Sequence, residues 1–121
     1  MRIAIPVNEK DIHSVVCLSF GRAPYFLVYD TETKKTIFLE NIATEIKVGA
    51  GIKAAQFLID NNIKVIIAPG YGENSAKVLL RAGIKVYKNV NACAEDNIKA
   101  YEKDELDFLA DIHPAIQDNE D

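Results

Sequence analysis

The sequence predicts a single α/β domain: one mixed, five-stranded sheet with helices packed on its faces, in the order β-β-β-α-β-α-β-α. Three observations carry that prediction. Short apolar, β-branched runs of strand length recur along the chain, segments of three- and four-residue periodicity separate the later runs, and Gly, Pro or Asn marks the junctions between them. A chain of 121 residues with 49% hydrophobic and 26% charged content is the size of one ordinary domain, able to bury roughly two thirds of its unfolded surface.

The first run, Ile3-Ala4-Ile5-Pro6-Val7, reads as a buried strand, and a polar loop follows to about Ser19. Pro24 introduces Tyr25-Phe26-Leu27-Val28-Tyr29, and Asp30-Thr31-Glu32-Thr33 separates it from Thr36-Ile37-Phe38-Leu39-Glu40-Asn41. Two such runs across a short polar turn make an antiparallel hairpin. Gly49-Ala50-Gly51 opens a helix with Ile52, Ala55, Phe57, Leu58 and Ile59 facing inward and Lys53, Gln56 and Asp60 outward, closed by Asn61-Asn62. Val65-Ile66-Ile67-Ala68 is almost wholly apolar, as a strand covered on both faces must be. After the turn Pro69-Gly70-Tyr71-Gly72, Asn74 or Ser75 is expected to cap a helix containing Ala76, Leu79 and Leu80, which stops at Ala82-Gly83. Ile84-Lys85-Val86-Tyr87 is the fifth strand. Beyond Asn91 comes a third helix with Ala94, Ile98 and Tyr101 on one face and Glu95-Asp96 in its first turn, where the helix dipole favours acids. The β-α-β-α-β half is expected to be parallel with right-handed crossovers.

Charge is unevenly distributed. Asp104, Glu105, Asp107, Asp111, Asp118, Glu120 and Asp121 share residues 104–121 with no Lys or Arg, so residues 1–103 hold all 14 basic groups against 11 acidic ones. Without a dense Lys/Arg cluster, and with an acidic end that repels phosphates, nucleic acid is not an expected partner. No apolar run approaches the ~20 residues of a membrane-spanning helix, and the first residues lack the pattern of a secretory signal. Two cysteines make no disulfide framework, so the cytoplasm, with reduced thiols, is the expected compartment.

In open α/β sheets, ligands bind beyond the carboxyl ends of the parallel strands. Residues 8–22, 69–75 and 89–94 should meet there, which brings Cys17, Cys93 and His13 to one edge of the sheet. Thiolates and imidazoles are ligands for soft metals and iron–sulfur species, although no Cys-x-x-Cys or paired His marks the spacing. The plainer account treats both cysteines as small, partly buried hydrophobes. Residues 69–75 follow a buried strand and open a helix, so free backbone N–H groups there suit an anion. The loop lacks the lysine and spacing of a Walker motif, and tight turns alone would explain its glycines. Arg22 could fix an anionic group or stand solvated at the surface. No serine sits in a Gly-x-Ser-x-Gly elbow, neither histidine has a marked partner, and the first strand ends in Asn8 rather than an acid, so no catalytic machinery is legible.

Phe20-Gly21-Arg22-Ala23-Pro24-Tyr25-Phe26, together with Ile3-Ala4-Ile5-Pro6-Val7, Gly49-Ala50-Gly51-Ile52 and Ala68-Pro69-Gly70-Tyr71-Gly72, closely resembles the dinitrogenase iron–molybdenum cofactor biosynthesis family. That family includes NifX-like carriers and the C-terminal domain of NifB-like proteins. The resemblance covers about residues 1–106, as one NifX-like cofactor-binding domain, and leaves 107–121 as an acidic C-terminal tail. It implies a ribonuclease-H-like, three-layer α/β fold and a protein that binds or carries an iron–sulfur or iron–molybdenum cluster rather than an enzyme, with cluster donor and acceptor proteins as partners. Many small stand-alone members have no established activity. Ser19, Phe20, Gly21, Arg22, Gly70, Tyr71 and Gly72 are then expected to line the binding cleft. In many members a histidine proposed to contact the cluster precedes Phe-Gly-Arg; here Ser19 stands in that place, and serine is a poor ligand for iron. Cys17, with Cys93 or His13, could substitute. The alternative is a module that binds a small anionic ligand or a protein partner without a metal. Residues 108–114 are apolar enough to dock on the domain or on a second copy, His113 reads as an exposed tail residue, and deleting residues 117–121 should leave folding and binding intact.

Overall fold

The innermost pairing joins β1 (Arg2–Val7) to an antiparallel neighbour on one side and a parallel one on the other. The computed structural model describes residues 1–108; His113, the docking of residues 108–114 and the effect of deleting 117–121 all concern residues that lie wholly or mainly outside that range. β2 (Tyr25–Asp30) and β3 (Thr36–Glu40) form the expected hairpin, and β1 pairs with β2 from Arg2↔Asp30 to Val7↔Tyr25. β4 (Ile63–Ala68) lies parallel to β1, and β5 (Lys85–Lys88) parallel to β4. The helices are α1 (Ala50–Asp60), α2 (Glu73–Arg81) and α3 (Ala94–Glu102).

Strand alternation sorts the core into two layers, because successive side chains point to opposite faces. Ile3, Ile5, Val7, Leu27, Val65 and Ile67 pack under Ala94 and Ile98 of α3. Ala4, Phe26, Val28, Ile66 and Ala68 pack under Ala54, Ala55 and Leu58 of α1 and Leu79 of α2. Most of these side chains are fully buried, and each large aliphatic or aromatic one contributes roughly 1.5–3 kcal/mol by leaving water. The result is a three-layer sandwich whose sheet runs β3-β2-β1-β4-β5-β6.

The sheet therefore has six strands, not the expected five. β6 (Asp107–Phe108), at the start of the acidic segment, pairs antiparallel with β5 through Tyr87↔Phe108 and Lys88↔Asp107. Two residues are too few to show alternation, and what holds them is non-local: the Tyr87 and Phe108 rings lie 5.3 Å apart. Two further expectations fail. α2 begins at Glu73 with no side-chain cap, so Asn74 and Ser75 lie inside it, and Ser75 Oγ donates to the Gly72 carbonyl at 3.1 Å. Ile52 is 41% exposed, because the buried stripe of α1 runs through Ala50, Ala54, Ala55 and Leu58. The helix ends are as expected: Asn62 (φ 63°) and Gly83 (φ 79°) take the left-handed conformation that stops α1 and α2. No helix among the described residues is long and apolar enough to cross a membrane.

Candidate functional site

An open cleft of about 470 Å³ lies at the carboxyl end of the sheet, where the direction of the connections reverses around β1. Three segments build it: Leu18, Ser19, Phe20, Gly21 and Arg22 from the loop after β1, Ala50 and Gly51 from the start of α1, and Gly70, Tyr71, Gly72 and Ser75 from the turn into α2. Ser19, Phe20, Gly21, Arg22, Gly70, Tyr71 and Gly72 are thus brought together in one lining.

Two helix N-termini face this space. Neither α1, with Gly49 as N-cap, nor α2, with Gly72, has a side-chain cap. The first intrahelical bonds run from Lys53 N to Gly49 O and from Ala76 N to Gly72 O, so the N–H groups of residues 50–52 and 73–75 have no partner within their helices. Each terminus carries the positive end of a helix dipole, equivalent to roughly half a charge. The segments approach closely because side chains are missing where they meet. A Cβ on Gly21 would stand 2.8 Å from the Gly51 nitrogen and 2.9 Å from its Cα, and a Cβ on Gly51 would stand 2.9 Å from Ser75 Oγ. At Gly70 an added Cβ meets nothing within 4 Å.

The floor is aromatic. Phe20 packs on Phe26 and on Tyr71, each pair with ring centroids 5.6 Å apart and tilted. The Tyr71 hydroxyl points into the sheet, 3.2 Å from the carbonyl oxygens of Ile66 and Tyr87, and burial holds this phenol far above its ordinary pKa. Tyr71 is thus an apolar wall fixed by its buried end, not a proton donor to the cleft.

The outer wall is held by side chains that donate to backbone. Asn41 Nδ2 donates to the carbonyls of Gly21 (3.0 Å) and Ala23 (2.9 Å), and its Oδ1 accepts from Ala43 N at 3.0 Å. Arg22 donates from Nη1 to Thr44 O and from Nη2 to Lys47 O, both at 3.1 Å. These bonds join residues 20–23 to the loop that leads into α1.

Cys17, Cys93 and His13 lie outside the cleft lining, on a neighbouring seam. There residues 12–16 pair with 92–95: Val15 bridges Cys93, Val16 N donates to Ala92 O at 2.7 Å, and Glu95 N donates to Ile12 O at 2.9 Å. His13 is two-thirds exposed, with Nε2 3.0 Å from Glu95 Oε1 and Nδ1 3.5 Å from Asp11 Oδ1. Both cysteines are free and half-buried, and Cys93 is the N-cap of α3. Buried Asn97 shapes this seam, accepting from Val90 and Asn91 N–H and donating to the Asn91 and Cys93 carbonyls. Among the described residues no three His, Cys, Asp or Glu side chains gather so as to hold a metal ion.

The residues expected to line the cleft did not include Leu18, Ala50, Gly51, Ser75 or Asn41, although Leu18 and Ser75 lie in the loops 8–22 and 69–75 expected to meet there. Gly51 had a signal, as part of one of the four family-like motifs. Asn41 had none, because its role depends on carbonyls 18 and 20 residues away.

The family described as dinitrogenase iron-molybdenum cofactor matches residues 1–104. The chain is similar to the orange protein of Desulfovibrio gigas in its apo form, with a TM-score of 0.85 and 27% identity over 90% of this chain and 92% of that one. It is also similar to a candidate NifB protein from Thermotoga assigned to the DUF35 family, with a TM-score of 0.78 and 35% identity over 89% and 92% of the two chains. An uncharacterized protein of Methanocaldococcus jannaschii is 26% identical over 110 residues, 88% of this chain and 90% of its own length. With four motifs in register and a match spanning nearly all the described residues, the chain belongs to the dinitrogenase iron-molybdenum cofactor family.

Proposed function

We propose that this protein is a small cytoplasmic binding or carrier protein for an iron–sulfur or iron–molybdenum cluster or its precursor, held in the cleft between the starts of α1 and α2. The observation that carries this reading is the donor set: two uncapped helix N-termini over an aromatic floor, with no Cys, His, Asp or Glu in the lining. Such a site holds an anion by hydrogen bonds and dipoles and gives a metal no protein ligand, so the cargo is an anionic species that brings its own sulfide or other ligands. The absence of an acid–base pair from the lining favours holding cargo over turning it over. A carrier passes its load between a donor and an acceptor protein, which an open cleft permits. Family membership and the orange-protein likeness support the reading.

The test is anaerobic loading with iron and sulfide, or with tetrathiomolybdate, followed by gel filtration. Wild type is expected to retain a stoichiometric chromophore, and Cys17→Ala to retain it too. Gly70→Leu, which fills the cleft from a position with free space, is expected to lose it while folding normally. A wild type that elutes colourless and metal-free overturns the proposal.

A second reading is favoured by Ser19 at the position of the family histidine: a small anionic ligand that contains no metal. A thermal-shift panel of nucleotides and phosphorylated metabolites distinguishes the two, since a ligand at 100 times its Kd stabilises by roughly 2.7 kcal/mol.

A further inference from the structure

The loop of residues 42–49 sets where α1 begins, and its apolar anchorage is confined to Ala43 in the core and half-buried Ile46 packed against it. Ile42 and Val48 are 58% and 88% exposed, Glu45 and Lys47 are exposed, and within 42–48 only Ala43 is buried. The loop runs directly into Gly49 and the first turn of α1, whose Gly51 backbone rests against Gly21. The side chains tying it to the opposite wall are Asn41 and Arg22, through the Gly21, Ala23, Thr44 and Lys47 carbonyls. Arg22 is the only cation in the cleft lining, and each of its terminal nitrogens donates to one of those carbonyls, which holds the guanidinium against the loop.

We propose that Arg22 and Asn41 are positioning residues: together they bracket the 42–49 loop to residues 20–23 and so fix the N-terminal turn of α1 at the cleft, whose hold on an anion runs through backbone N–H groups rather than through the guanidinium. The geometry requires a planar fork. Two carbonyls three residues apart are spanned by the two terminal nitrogens of arginine, and a lysine ammonium, a single point charge, cannot reproduce that span. Asn41 is buried with its amide oxygen and nitrogen both bonded, which makes it a rigid foot for the same bracket.

The test separates charge from bracket, and only its binding arm rests on the carrier reading. Arg22→Lys keeps the charge and breaks the fork; Arg22→Gln loses both; Lys53→Gln removes a cation from the first turn of α1 and leaves the bracket intact. In the ligand-free protein, amide exchange at Ile46 and Lys53, whose N–H groups donate to the Ala43 and Gly49 carbonyls, is expected to quicken at least fivefold in both Arg22 variants, and exchange at Ile46 to stay within twofold of wild type in Lys53→Gln. In tetrathiomolybdate titrations both Arg22 variants are expected to bind at least fivefold more weakly, and Lys53→Gln within twofold of wild type. Unchanged exchange in Arg22→Lys overturns the bracket, as does wild-type affinity in Arg22→Lys beside a loss in Arg22→Gln. An equal loss of affinity in Lys53→Gln also overturns it, since long-range charge would then be sufficient. If wild type binds no tetrathiomolybdate, the carrier reading is what suffers, and the exchange measurements alone decide the bracket.

Discussion

Two groups of loops stand side by side at the carboxyl end of the sheet and use opposite chemistry. In the cleft, residues 18–22, 50–51 and 70–75 meet through glycines and offer uncapped backbone N–H groups and an aromatic floor. On the seam, residues 12–17 and 92–95 carry Cys17, Cys93 and His13, but their backbone groups bond to one another and the imidazole faces Glu95 and Asp11. Cys17, Cys93 and His13 therefore lie where the loops close on each other, and the open volume is lined by groups suited to anions. Residue type alone therefore does not say where hydrogen-bond donors are left free; the way the loops pair in three dimensions does.

The sharpest way to break this contrast is to put a methyl group where the cleft segments touch. Gly21→Ala sets a Cβ against the Gly51 backbone, which has no side chain to move aside, and is expected to cost about 3 kcal/mol. Gly51→Ala meets only the Ser75 side chain, at Oγ and Cβ, and alanine gains about 1 kcal/mol in a helix, so its net cost should be near zero to about 1 kcal/mol. Denaturant midpoints compare the two, and equal costs would refute the backbone-to-backbone contact as the constraint. On the seam, Asn97→Ala strands the Val90 and Asn91 N–H groups and the Cys93 carbonyl, while the Asn91 carbonyl keeps its bond from Asn89 Nδ2, and is expected to cost about 2 kcal/mol. Anion binding in the cleft should stay within twofold, while the Cys93 thiol should react faster with a disulfide reagent. A matching fall in anion binding would show that cleft and seam act as one site.

The smallest effect is expected far from both. Glu102 accepts from Lys34 Nζ and Tyr29 OH, each at 3.0 Å, and the Lys34 bond, then the Tyr29 bond, holds its carboxyl below the ordinary value. A carboxyl lowered on folding lends stability above its unfolded value of about 4.3, lost as pH falls through the lower folded value. Glu102→Gln should therefore flatten the acid limb of a stability–pH profile slightly and leave cleft binding unchanged, because this cluster is largely exposed. An acid limb identical to wild type would show the cluster to be energetically idle.

The hairpin, α1, β4 and the end of α2 were legible because each depends on local pattern: two apolar, β-branched runs across a short polar turn, the apolar run Val65–Ala68, and left-handed Asn62 and Gly83 at helix ends. The cleft's seven expected residues were legible through motif resemblance. Ile52 was misread because a three-and-four spacing fixes a stripe only once the contact face is known, and small Ala50 and Ala54 take that face. β6 and Asn41 were not legible because their partners lie far along the chain.

By itself the sequence determined the element order as far as α3, the α/β class and the turn into α2, because propensity, periodicity and glycine placement act within a few residues. Only the tertiary structure decided that Ser75 packs instead of capping, that Arg22 spends its guanidinium on Thr44 and Lys47, and that the thiols and His13 sit beside the cleft and not in it. The physical reason is shared: hydrogen-bond groups are satisfied by whichever partner packing brings near, and packing joins residues that the chain keeps far apart.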